Sequence, residues 1–134
     1  MNPPANITNN HGKAGLLWLV DQAERWHLSD GELASLLGVA ETTLKIWIAA
    51  VRSTGDQSPE FPEPVIERMG LLLGLHKALV LLTPAGHENM ANDWFKKPIY
   101  LWGLNGNSIC SRILDNPSTE TLIELVRQIR SRSA

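Results

Sequence analysis

The side chains able to do chemistry in this chain are few and scattered. Four histidines, His11, His27, His76 and His87, lie far apart in the 134 residues, and none sits in a recognisable nucleophile motif. Cys110, between Ile109 and Ser111 near an expected helix start, could carry a lowered pKa there, but a small buried apolar role suits it better. A single cysteine excludes an internal disulfide framework, and with scattered histidines it leaves no spaced set of metal ligands. Gly70, Gly74, Gly103 and Gly106 lack the strand and lysine context of a phosphate-binding loop. The expectation is a protein that is not an enzyme and uses no cofactor and no metal.

Composition narrows the field further. With 43% hydrophobic residues the chain can bury a real core, as one domain or two small ones. Lys and Arg total 12 against 14 Asp and Glu, so the net charge of -2 gives no global pull toward nucleic acid or anionic membrane. Any DNA binding must come from a local patch. The polar, proline-containing start, MNPPANITNNHGK, lacks the apolar stretch of a signal peptide, and residues 1–13 are expected to be a disordered tail. A soluble cytoplasmic protein is the default.

The elements that must position any site read as helices throughout. Between Ala14 and His27, Leu16, Leu17, Leu19, Val20, Ala23 and Trp26 form one apolar face. Ser29 and Asp30 then open a short helix that Gly38 ends, and a second helix follows within a few residues. Small Ala34 at the crossing, Gly38 in the turn, and Leu33, Leu37, Val39, Leu44 and Trp47 as shared core make a helix-turn-helix pattern over 14–53. In such a motif the second helix presents its outer residues to DNA, here Glu41, Thr42, Thr43, Lys45 and Ile46, with Arg52 nearby. Glu41 repels phosphate and the cations are few, so a scaffold or protein-contact role stays equally open.

Residues 54–63 concentrate Gly, Ser, Asp and Pro and are expected to be a connector and domain boundary. From Pro64 to Leu82 apolar residues occupy more than one helical face, which predicts a central helix buried on several sides; Glu67, Arg68, His76 and Lys77 argue against a membrane span. Gly70 and Gly74, on one stripe, would let another helix approach closely. A short helix over 88–97, a bent loop over 99–106, a helix capped at Asn107 or Ser108, and a last helix started by Asn116-Pro117 complete the chain. The expected fold is all-α, a helix-turn-helix bundle packed against a C-terminal helical domain over 64–134.

Five tryptophans are many for this length. Trp94, Phe95 and Trp102 surround Pro98 on short elements with little room to bury them all, and surface aromatics around a rigid proline suit a partner interface. For Trp94 a core role carries equal weight. Arg127, Arg130 and Arg132 match the dipole at the end of the last helix, the plain account of that charge.

The stretch from about Leu28 to the C-terminus resembles the Xre-type antitoxins of RES/Xre (MbcA/ParS-like) toxin–antitoxin modules. The residues that carry the likeness are Glu67-Arg68 before the Leu-rich helix, Trp94-Phe95 with Pro98, and Ser108 before Leu114 and Asp115. Ile99 stands where the family usually has Asn, and Ser108-Ile109-Cys110 where it has Ser-Pro-Leu. The resemblance implies an antitoxin that covers the active-site entrance of a RES-domain, NAD-degrading toxin, forms a dimer or a hetero-oligomer with it, and represses its own operon through the helix-turn-helix. Toxin-binding residues would be Trp94, Phe95, Pro98 and Trp102, with Arg127 and Arg130 reaching toward a cleft that accepts a dinucleotide. The alternative is a helix-turn-helix DNA-binding regulator without a toxin.

Overall fold

A computed structural model describes residues 3–53 and 59–133, with side chains over 12–53 and 59–131. Among these residues the protein is all-helical, with no strand: α1 (Pro3–Arg25), α2 (Asp30–Leu37), α3 (Glu41–Arg52), α4 (Glu63–Leu81), α5 (Glu88–Trp94), α6 (Ile109–Asp115) and α7 (Thr119–Ser133). No single described helix is long and apolar enough to cross a membrane. The chain divides into two compact units, Met1–Gly70 and Leu71–Ala134. The division falls inside α4 and not at the connector, whose residues 54–58 lie outside those described.

In the first unit, α1 begins at Pro3 instead of Ala14, so the stretch expected to be a disordered tail is helical from its third residue. Prolines are tolerated in a first turn, where the missing N–H would have had no intrahelical partner. Further along α1, Gly12 and Gly15 pack closely. A Cβ on Gly12 would lie 2.5 Å from the Phe61 ring, and one on Gly15 would lie 3.0 Å from Met69 Sδ. Phe61, from the connector, is 6% exposed and meets Trp47 edge-on at 5.0 Å. An exposed helical glycine usually gains about 1 kcal/mol on replacement by alanine. Here Gly12→Ala is expected to destabilise instead, by about 1–3 kcal/mol through overpacking on Phe61, which urea unfolding would read directly.

Local caps then set the turns. α1 closes on His27, which adopts a left-handed φ of 56° while Leu28 N–H reaches Ala23 C=O and His27 N–H reaches Glu24 C=O. That is a Schellman end built on a residue other than glycine. α2 opens with a capping box: Glu32 N–H donates to Ser29 Oγ at 3.1 Å and Ser29 N–H donates to the Glu32 carboxylate at 2.9 Å. It ends at Gly38, φ 74°, with Val39 N–H on Ala34 C=O. Across that turn α2 and α3 bend by 96°. Leu16, Leu19, Trp26, Leu33, Leu36, Leu37 and Leu44 are at most 2% exposed and form the core of the unit.

Arg68, which the resemblance assigns to the toxin-binding part, acts inside this first unit. Its guanidinium lies over Gly38 and donates to Leu36 C=O at 3.3 Å, meeting one of the orphan carbonyls at the end of α2. Gly38→Ala would strain the left-handed turn and place a Cβ 2.9 Å from Arg68 Cζ. A loss of about 1–2 kcal/mol is expected, visible as a lower urea midpoint with an unchanged slope.

The second unit is built from the rest of α4 with α5, α6 and α7. In the second-unit part of α4, Leu72, Leu75 and Leu79 are 0% exposed and Ala78 is 2% exposed; Val65 and Met69, in the first-unit part, are buried as well. Glu63, Pro64, Glu67, Gly70, Lys77 and Leu81 of α4 are exposed, Leu81 at 73%. The expected close helix approach at the glycine stripe is absent among the described residues: a Cβ on Gly70 would meet nothing within 4 Å, and one on Gly74 would meet only Val126 Cγ1 at 4.0 Å. α5 stops at Trp94, before the expected Lys97. Ser108 caps α6 by accepting from Ser111 N–H at 2.9 Å, as expected. The last helix is capped by Ser118, which accepts from Thr121 N–H, and not by Asn116. Leu122, Leu125, Val126 and Ile129 form its buried stripe.

Candidate partner-binding surface

The segment from Phe95 to Ser108 is an irregular loop held by its own backbone and by the start of α6. Cys110 N–H donates to Phe95 C=O at 2.9 Å and closes the loop at its base. Further in, Ile99 N–H donates to Asn107 C=O at 3.1 Å and Gly106 N–H to Ile99 C=O at 2.8 Å. Leu104 N–H on Leu101 C=O and Asn107 N–H on Leu104 C=O tie down the tip. The composition of 99–106 favours strands, yet four of its residues have left-handed φ: Trp102 at 57°, Gly103 at 72°, Asn105 at 52° and Gly106 at 92°. Glycine and asparagine tolerate this conformation; a tryptophan rarely does.

That backbone decides which aromatic faces where. Turning at Trp102 sends its indole inward, to 7% exposure, where it meets Trp94 with ring centroids 5.9 Å apart. Phe95 is 0% exposed. The expectation that Phe95 and Trp102 are surface contact residues is therefore corrected: both belong to the core of their unit, because the loop base and the left-handed turn fold them in. Trp94 is half-buried and Pro98 exposed. The outward residues are ones the sequence reading passed over, Tyr100 at 81% and Leu101 at 53% exposure. The Tyr100 ring lies across Gly106, where a Cβ would be 3.1 Å from Cε1, so it is exposed yet positioned. The signal available was the glycine and asparagine at 103, 105 and 106, which mark a left-handed tip.

Trp94, Lys97, Pro98, Ile99, Tyr100, Leu101 and Trp102 together line a shallow cleft of about 200 Å³. Small-molecule pockets usually run about 300–1,000 Å³. This one is the size of an anchor-side-chain site and not of a cofactor. No group of His, Cys, Asp or Glu that could hold a metal ion occurs among the described residues.

The remaining candidate residues lie elsewhere. Glu41, Thr42, Thr43, Lys45 and Arg52 all sit on α3, exposed except for half-buried Thr43. Ile46 beside them is 68% exposed. Lys45 Nζ pairs with the Glu41 carboxylate at 3.0 Å, and the hydrogen bond and charge of Glu41 raise the lysine pKa above its ordinary value. The lysine thus keeps its proton, but part of its field is already spent on a neighbour. Arg127 and Arg130 are exposed on α7, and Arg127 borders an open groove with Glu120, Ile123, Glu124 and Gln128.

Compared with models of protein families, with curated proteins and with solved structures, the chain matches none.

Proposed function

We propose that this chain is the antitoxin of a RES/Xre-type pair, a cytoplasmic, non-enzymatic protein that binds an NAD-degrading RES-domain toxin and blocks the entrance to its active site. The resemblance supplies the class of partner. The observation that supports a gripping role is the pairing of Tyr100 and Leu101, apolar and exposed, on a loop whose backbone is already hydrogen-bonded into shape. Preorganised apolar anchors lose little entropy on docking, and aromatic residues dominate interface energetics. Arg127 and Arg130, exposed on α7, would face the dinucleotide cleft of the toxin. The test is NAD consumption by a cognate RES-domain toxin, titrated with this chain in purified form. Consumption is expected to cease near stoichiometric addition, whereas consumption unaffected by excess antitoxin contradicts the reading.

A second reading, a DNA-binding regulator without a toxin, is favoured by α3, whose exposed stripe of Thr42, Ile46, Ala49 and Arg52 follows a tight turn. Autorepression in the antitoxin reading uses the same helix. Because Glu41 ties up Lys45, Glu41→Gln is expected to strengthen binding to the upstream DNA and to steepen the salt dependence of log K by about one unit of slope. Gel shifts across a salt series measure this, and an unchanged slope would remove Lys45 from the DNA surface.

A further inference from the structure

The cleft at the loop tip has chemistry as well as shape. Trp102 lines it while 93% withdrawn from solvent, and its indole Nε1–H has no acceptor among the described residues. A buried donor left without a partner is costly, and native structures rarely keep one without a use. The same residue holds a left-handed backbone conformation that a bulky side chain seldom adopts, and such strain concentrates at binding sites. Lys97, on the rim, is exposed and makes no ion pair among the described residues. Pro98, Trp94 and exposed Tyr100 supply flat apolar walls. The loop backbone cannot serve as donor in place of Trp102 at Ile99, Leu104, Gly106 or Asn107, because each of those N–H groups is already paired.

We infer that this cleft accepts an extended segment of a partner protein that presents a proline or aliphatic side chain next to a carboxylate. The apolar side chain seats between Tyr100 and Trp94, the carboxylate meets Lys97, and a side-chain rotation at Trp102, which leaves the hydrogen-bonded loop backbone in place, brings its indole N–H to a carbonyl of the extended segment. Extended proline-containing segments suit such sites because they are ordered before binding and carry unpaired carbonyls. The charge of the rim selects an acidic segment over a basic one. The inference deepens the proposed function by naming what the toxin presents, and rests on it only for the choice of surface.

Selection of random displayed peptides on the full chain tests it without any toxin, so its failure is separable from a failure of the NAD assay. Enriched peptides are expected to place Asp or Glu beside proline or an aliphatic residue, and Lys97→Glu is expected to abolish that acidic preference. Trp102→Phe, which keeps a ring and loses the donor, should weaken an enriched peptide by about fivefold at a temperature where its melting curve shows the variant folded. No enrichment over the Lys97→Glu, Tyr100→Ser double variant, or enriched peptides without an acidic residue, would overturn the inference. Undiminished binding by Trp102→Phe would overturn the role of the indole.

Discussion

Replacing Phe95 with alanine is expected to cost about 3–5 kcal/mol of stability, the range found for emptying a buried phenyl site. Phe95 is 0% exposed, and its carbonyl accepts the Cys110 N–H that closes the loop base, so the cavity opens where the loop is anchored. Natural domains of this size hold only about 5–15 kcal/mol in total. The variant should therefore unfold at a much lower urea concentration, and any loss of partner binding it shows would be a loss of folded protein. If Phe95→Ala unfolded like the parent and lost only binding, the placement of this ring in the core would be wrong.

The second large effect falls on residues exposed at the loop tip. Tyr100→Ser with Leu101→Ser removes two side chains that are 81% and 53% exposed. Surface substitutions of this kind usually move stability by no more than about 0.5 kcal/mol each. At an interface, anchors of this type are worth about 2–4 kcal/mol, which corresponds to a fall in affinity of about 30- to 1,000-fold. Titration calorimetry against the RES-domain partner, with a melting curve on the same sample, separates the two. An affinity within a factor of about three of the parent would place the contact surface elsewhere on the unit.

The contrast between these variants also marks what the sequence could and could not convey. Periodic apolar positions locate the helices well, because burial of one face repeats at helical spacing: Leu122, Leu125, Val126 and Ile129 are all buried on α7 as their spacing requires. Caps written in local chemistry, such as Ser29 with Glu32, Gly38, and Ser108, are equally legible. Long-range partners are not. Nothing local says that Phe61 from the connector rests on Gly12, or that Arg68 reaches back to the end of α2. The start of α1 is equally illegible, since polar residues and prolines over 3–13 carry no apolar period.

The candidate surface was legible only as a region. Counting aromatic residues around Pro98 singles out this loop, but aromatic character does not say which ring turns inward. That depends on backbone dihedrals at Trp102, Gly103, Asn105 and Gly106, which reverse the expected facing: Trp102 inward, Tyr100 outward. On α3, spacing identified the exposed residues, while the Glu41–Lys45 pair at i, i+4 could have been read from the sequence and would have flagged the shortage of free positive charge.

The central claim is that the loop tip of the second unit grips a toxin. Growth of cells expressing a cognate RES-domain toxin, with and without this chain, tests it most directly. The intact chain is expected to restore growth, and the folded Tyr100→Ser, Leu101→Ser variant, produced at an equal level, is expected to leave cells arrested. Restoration by that variant as complete as by the parent, or no restoration by the parent, would contradict the account.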